Sequence, residues 1–483
     1  MSRTPGTGTG TAAPRIRRLR PRALAVPAAA VALTLALGTP TASATSTPAQ
    51  IAASKTNGVA YLKTLQAADG SYAGSGLSNE WAFSAFAAAG TAPADVAPGG
   101  DTTKNARTVY RNLLATPGWP SATPYVTDYE RGTLNAYAAG IDPARVSASR
   151  NLIADIHRYW QTAEPGYFGP SGNFNGTVFA GLALAGARTQ TGAQRVPQAL
   201  LDTIVTRIRA NQHNDGGWDY QKAEGDPTRL AAPGDIDMTG AAMAALCTAG
   251  VPASDPDVVQ GRDFLAGKLT STGAFTAMYG INSSSNAWAV SGLNACGINP
   301  QTGPFLAPSG KTPIDFVIAQ QFTPGGGFRY KPGDTSPSAY SSTDAVRAVA
   351  GGGFTAAPPT PVTPGATRWV AQSAFTPGTA TRLALTIDDG SGALKVCSVA
   401  FTPTAGTTTL GAVLDAATTG ATPAGCVTSV TPASGTGAVT AVNGTANSGT
   451  SVWKAGVDGS APSAATRDRV IGVGDTIALR YGS

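Results

Sequence analysis

Histidine is almost missing from this 483-residue chain: His157 and His213 are the only two. A Ser-His-Asp triad needs an imidazole beside its nucleophile, and a His-rich metal centre needs several, so both chemistries are disfavoured. Cysteine stops at four and forms no Cys-x-x-Cys pair, which argues against zinc ribbons and fingers. Neither a Gly-x-Ser-x-Gly elbow nor a phosphate-binding glycine loop is present. Only 13% of residues are charged, with a formal excess of six positive charges. All of that excess lies in residues 1–44, which hold six Arg and no acid; the remainder carries 28 basic and 28 acidic side chains. A balanced surface offers no electrostatic grip on nucleic acid or an anionic membrane. Beyond residue 44 no apolar run approaches the ~20 residues of a membrane span.

What is present begins with an export signal. Arg15, Arg17, Arg18, Arg20 and Arg22 precede an apolar run from Ala23 to Gly38, and Ala42-Ser43-Ala44 supplies small residues for cleavage after Ala44. The mature protein is therefore expected outside the cell.

The dominant feature is a sixfold repetition between about residues 51 and 356. Each unit has a helix-forming stretch, a Gly-rich turn with an aromatic, a polar residue, then a small-residue run. Clear copies are Gln66-Ala-Ala-Asp-Gly-Ser-Tyr72 leading to Asn79-Glu-Trp-Ala, Gln212-His-Asn-Asp-Gly-Gly-Trp218 leading to Asp237-Met-Thr-Gly, and Gln321-Phe-Thr-Pro-Gly-Gly-Gly-Phe328 leading to Asp344-Ala-Val-Arg. Such units bury surface only against their neighbours. Six helical hairpins closing on themselves leave a central cavity, with short Ala- and Gly-rich inner helices and bulkier outer ones. The predicted inner helices are Glu80–Ala89, Glu130–Ala139, Gly176–Ala185, Met238–Ala249, Ala287–Cys296 and Ala345–Ala350. The expected fold class is mainly α: a six-fold α/α toroid over 45–356, followed by a small α+β domain at 367–483.

Between the two, residues 357–366 read as a linker, since four prolines in seven positions favour an extended chain. After it, Arg382–Ile387, Lys395–Phe401 and Asp475–Tyr481 alternate as strands, and Thr409–Ala417 reads as a short amphipathic helix. Cys247 and Cys296 each lie ten residues after a repeat's polar position, so a bridge between adjacent inner helices is natural; Cys397 and Cys426 would pair in the C-terminal part. Metal ligation is the alternative use, and no metal site is expected.

The turn motifs at 66–72 and 212–218 resemble those of the α/α-toroid superfamily, which includes terpenoid cyclases, protein prenyltransferase β subunits, complement thioester domains and cobalamin carriers. Thr409–Asp415, Val439–Gly444, Val452–Gly459 and Gly474–Tyr481 resemble, in order, a transcobalamin-like C-terminal domain. The layout is similar to that of the cobalamin carriers, and implies a ligand of corrinoid type held between ring mouth and C-terminal domain, with no cofactor required. The absence of Asp-x-Cys and of Gly-Cys-Gly-Glu-Gln sets aside the zinc-dependent and thioester members.

One polar residue per repeat falls at a common register: Asn79, Tyr129 (or Asp128), Asn175, Asp237, Asn286 and Asp344. Asn and Asp are preferred helix N-caps, so capping accounts for any one of them. As a set they also form a polar mouth, to which Trp81 and Trp453 are added as ligand contacts. The alternative is a class II cyclase-like enzyme. Asp235-Ile-Asp237-Met238 supplies two of the three acids of the cyclase Asp-x-Asp-Asp motif, with Asp237 at the proton-donating position. A protein-interaction module is a third option.

Overall fold

The computed structural model describes residues 45–72, 80–190, 195–432, 435 and 437–483. The export signal and Asn79 lie outside the described residues. Helices dominate and a sheet follows, in line with the expected class.

Among the described residues twelve helices carry the first part, beside a four-residue helix at Pro227–Leu230. The outward set comprises α1 (Pro48–Thr64), α3 (Ala106–Ala115), α5 (Leu152–His157), α7 (Gln198–Ala210), α9 (Pro256–Gly267) and α11 (Pro313–Ala319). The inward set comprises α2 (Ala82–Ala88), α4 (Val126–Ala139), α6 (Asn175–Thr189), α8 (Ile236–Thr248), α10 (Ser283–Ala295) and α12 (Ala339–Val349). Each inward helix packs on the next, α2 on α4, then α6, α8, α10 and α12, and α12 packs back on α2. Their small residues permit that crowding. At the tightest crossing, a Cβ on Gly292 of α10 would stand 2.3 Å from the Gly240 carbonyl of α8. The Cys247–Cys296 disulfide joins the same two helices.

Several inward helices begin four to six residues earlier than their sequence suggests, because the caps lie earlier. Asp235, Asn282 and Ser338 are the capping side chains of α8, α10 and α12, and Asp128 reaches back to the Tyr125 amide at the head of α4. Asp237, Asn286 and Asp344 therefore sit inside their helices; the capping role assigned to them is corrected.

The repeated glutamines lock neighbouring repeats. Gln212 Nε2 donates to the carbonyls of Gly216 in its own turn and of Asp257 at the start of α9. Gln321 Nε2 does the same to Gly326 and to Ser54 of α1, fastening the last repeat to the first. The aromatic of each turn is a buried plug: Trp218 and Phe328 are fully enclosed, and their amides donate to Thr239 Oγ1 and Ser342 Oγ on the inward helix.

Beyond α12 the chain crosses the far end of this assembly, where the inward helices finish. Ideal Cβ positions on Gly352 and Gly353 lie 2.5 Å and 2.9 Å from the Cβ atoms of Ala88 and Ala295, at the ends of α2 and α10. Between these contacts Phe354 is fully buried. The Pro-rich segment is fastened rather than free: the Val362 and Thr363 amides donate to Asp95, and Arg107 donates to the Thr367 carbonyl.

The C-terminal part has a six-stranded sheet of β1 (Thr381–Asp388), β2 (Leu394–Phe401), β3 (Ala421–Thr422), β4 (Val452–Val457), β5 (Ser463–Ala464) and β6 (Thr476–Gly482), in the order β3-β2-β1-β6-β4-β5. Only the β1–β6 pair is parallel. Helix α13 (Leu410–Gly420) packs on β2, and Cys397–Cys426 closes this core. The sheet leans on α5, and Ala384, Leu394 and Val396 join the helical core. Arg145, beyond the end of α4, donates to Asp458 at 2.7 Å and Asp475 at 2.8 Å. Arg195, beyond α6, pairs with Asp142, and its carbonyl accepts from Thr476 at 2.6 Å. The sheet thus rests on the flank and far end, not over the helix N-termini. The expectation that ring mouth and C-terminal domain hold a ligand between them is corrected: the fastening residues all follow the C-termini of α4 and α6.

Gln321→Ala should destabilise the protein by about 1–3 kcal/mol in chemical unfolding, because two buried carbonyls lose their donor. Gly326→Ala should cost more, since its Cβ would stand 2.2 Å from the Asn57 carbonyl at a φ of +78°.

Candidate functional site

The N-termini of the inward helices converge on a cavity of about 170 Å³ lined by Trp81, Thr127, Arg131, Asn175, Phe179, Trp288 and Tyr340. A larger hollow of about 270 Å³ lies between α2 and α3, lined by Tyr72, Glu80, Phe83 and Tyr110, and others, such as that between Asn214 and Lys268, are open grooves. The walls are aromatic by construction. Trp81 enters from the head of α2, Phe179 from the second turn of α6 and Trp288 from α10, while Phe354 packs on all three from the chain crossing the far end. Ring centroids among these four lie 5.1–6.5 Å apart in edge-to-face arrangements, the geometry aromatic quadrupoles favour.

Acids gather on one arc of the rim. Asp235 caps α8 by accepting from the Asp237 and Met238 amides at 2.9 Å and 3.0 Å. Asp237, two residues on, is pushed up to about 7 by burial and then by the neighbouring Asp235 carboxylate. Its Oδ2 faces the Tyr220 hydroxyl at 3.4 Å, and its Oδ1 is buried without a partner. Asp344 of α12 is fully enclosed and held up to about 6 by burial, against the pull of Arg347. Arg347 donates to Asp344 at 2.8 Å and to Ser291 Oγ at 3.2 Å, with its guanidinium 4.8 Å from the Phe354 ring centre and 5.3 Å from that of Trp81. Asp344 Oδ2 and Arg347 Nη1 are likewise buried without partners.

The opposite arc, on α4 and α6, is polar without being acidic at its surface. Arg131 reaches the cavity held by Glu80 at 2.5 Å and Asp128 at 3.1 Å. Burial raises the Glu80 carboxyl even against Arg131. Asn175 Oδ1 is buried without a partner, and Thr127 completes the arc.

Of the residues singled out in the sequence, Trp81 and Asn175 line the cavity, and Asp235, Asp237 and Asp344 form the acid arc. Three are corrected. Tyr129 packs between Trp119 and Tyr159, away from the cavity. Asn286 is spent on structure, accepting from the Phe275 amide and donating to the Phe275 and Asn282 carbonyls. Trp453 belongs to the core of the C-terminal part, its indole donating to the Thr445 carbonyl and its ring against Tyr481. Sequence reasoning missed Phe179, Tyr340, Arg347 and Phe354. Arg347 had a signal, one helical turn beyond Asp344; Phe354 had none, since it follows the last repeat.

No known family profile matches this sequence, and no curated protein matches it. Solved structures do. The type II terpene cyclase MstE from Scytonema aligns at 14% identity and a TM-score of 0.43, over 62% of this chain and 98% of that one. A glycosidase in complex with glucose aligns at 12% identity and 0.43, over 62% and 96%. The protein geranylgeranyltransferase-I of Candida albicans, complexed with GGPP, aligns at 11% and 0.37, over 63% and 86%. At these scores the likeness assigns no residue of this chain a role.

Asp237 and Asp344 hold protons more tightly in the folded chain than carboxyls do in an unfolded one. Their effect on stability is therefore most favourable below about pH 4, declines as pH rises towards about 7, and is flat beyond. Asp237→Asn should flatten this profile and melt higher than the native protein at pH 8, a gain of roughly 1–3 kcal/mol, as read by thermal unfolding across pH 4–8.

Proposed function

We propose that this chain is an acid-catalysing enzyme of terpenoid-cyclase type, in which Asp237 protonates a carbon–carbon double bond of a small unsaturated substrate. The observation that carries the reading is a carboxyl kept substantially neutral near pH 7 at the rim of an aromatic-walled cavity. Protonation breaks the Asp237 O–H bond and forms a C–H bond with the alkene π electrons, leaving a carbocation and an aspartate. The faces of Trp81, Phe179 and Trp288 stabilise the cation, and transfer of a proton from carbon back to the Asp237 carboxylate restores a neutral product and the acid. The arc of Asp235 and Asp344 does for Asp237 what a third adjacent acid would do: nearby carboxylates disfavour its ionisation. Met238, in the place of that third acid, is fully buried in the helical core.

The architecture within this proposal is a six-fold α/α toroid over 45–356, a fixed connector at 357–366 and an α+β domain of transcobalamin-like type at 367–483. Residues 1–44 are proposed as an export signal cleaved after Ala44. Two disulfides suit an oxidising compartment, and no helix among the described residues is long and apolar enough to cross a membrane. The corrinoid carrier reading finds no support. A corrinoid macrocycle is far larger than 170 Å³, and the C-terminal domain does not face the mouth.

Incubation with isoprenoid alkenes of ten to twenty carbons, followed by gas chromatography with mass detection, should reveal cyclised or isomerised product. Asp237→Asn should lower turnover by about 10²–10⁴-fold. The rate should fall as pH rises through about 7, since the neutral acid is the active form. Undiminished turnover in Asp237→Asn would refute the reading.

A further inference from the structure

The cavity has two unlike poles. Behind the Trp288 and Tyr340 wall, outside the lining itself, stand Asp237 of α8 and the fully buried Asp344–Arg347 pair of α12. On the facing arc, from α4 and α6, stand Thr127, Arg131 and Asn175. Between them lie only aromatic faces. Each pole retains buried polar atoms without partners: Asp237 Oδ1, Asp344 Oδ2 and Arg347 Nη1 on one side, Asn175 Oδ1 on the other. Native interiors rarely leave such atoms unpaired, and each left so costs about 1–3 kcal/mol. Of these residues only Asn175 lines the cavity, and a hydrocarbon there would leave its Oδ1 unsatisfied.

Charge narrows the occupant further. Arg131 is already shared between Glu80 and Asp128, and Arg347 is paired with Asp344. Among the described residues lining the cavity no other cation occurs. A diphosphate, which carries up to three negative charges, would meet a single guanidinium, Arg131, already shared by two carboxylates. An uncharged hydroxyl meets instead an unpaired amide that both donates and accepts. The volume of about 170 Å³ is a little above the ~150 Å³ that holds a benzene ring, so an occupant of about ten carbons fills it and extends into the mouth.

Resting on the proton-donor reading above, we propose that the substrate is an uncharged oxygenated terpenoid of about ten carbons, its oxygen seated on Asn175 beside Thr127 and Arg131 and its double bond directed at the acid arc. The oxygen pole sets orientation: it places the far end of the molecule, rather than the oxygen-bearing end, near Asp237. Asn175 is a binding residue in this scheme, and diphosphate-bearing isoprenoids are excluded by charge.

Calorimetric titration of the full chain with geraniol, limonene and geranyl diphosphate tests this, because each has ten carbons and two double bonds while the polar group is a hydroxyl, absent, or a diphosphate. Geraniol should bind about ten-fold more tightly than either of the others, the worth of one well-made hydrogen bond. Asn175→Ala should erase the advantage over limonene, and Asn175→Asp, which keeps an acceptor, should retain most of it. The melting temperature of each variant confirms that the fold is intact. Equal or tighter binding of geranyl diphosphate, equal binding of limonene, an unchanged preference in Asn175→Ala, or no binding of any of the three would overturn the proposal. Titration of Asp237→Asn separates the two readings. Geraniol preference without turnover in the native protein would sink the proton donor and leave this proposal standing. Turnover without oxygen preference would do the reverse.

Discussion

Closure of the inward helices on one another is the constraint from which everything else follows. It depends on backbone meeting backbone, at Gly240 against Gly292 and at turn glycines such as Gly216 and Gly326 against the next outer helix, where a side chain would collide. The glutamines that satisfy turn carbonyls across the repeat boundary make the closure specific. A carbonyl buried at such a junction without a donor would open the ring to water. Gln321 has the largest consequence of these, since it joins the last turn to the first helix.

Closure also creates the electrostatics. Asp235 and Asp237 at the head of α8 and Asp344 on α12 are ordinary carboxyls, and only the convergence of these two helices removes them from water and sets them beside one another. Burial and mutual repulsion then act in the same direction, favouring the neutral acid. The same enclosure leaves Arg347 between an aromatic wall and Asp344, so that one end of the cavity carries a balanced ion pair instead of an open charge. The folded chain tolerates unpaired polar atoms there because the surrounding helices are held by contacts elsewhere. Strain of this kind collects where chemistry is done.

The C-terminal part acts on the site indirectly. Its segment of entry runs beneath the inward helices and delivers Phe354 as the floor, so the cavity opens at the N-terminal end alone. Arg145 and Arg195 then hold the sheet against the flank through Asp458 and Asp475. These pairs are only partly exposed, and their partners come from both halves of the chain. The sheet is better described as a buttress than as a lid, with its own core around Trp453 and the Cys397–Cys426 bridge.

The class of fold was legible in the chain because its signals are local. Small residues on the inner helices, the Gly-aromatic turns, the two disulfide pairings and the strands after residue 380 all follow from spacing. So did Asp235, Asp237 and Asp344 as notable acids, and Trp81 and Asn175 as wall residues. Helix starts were misplaced because capping depends on which side chain reaches a free amide, and Asn282 does so where Asn286 does not. Register alone could not separate Asn286, turned to a neighbouring loop, from Asn175, turned inward, since each helix faces both the cavity and its partners. Tertiary structure alone decided that Phe354 closes the floor, that Arg347 pairs with Asp344, and that the C-terminal domain sits away from the mouth. Those are contacts between segments far apart in the chain, and their geometry exists only once the ring has closed.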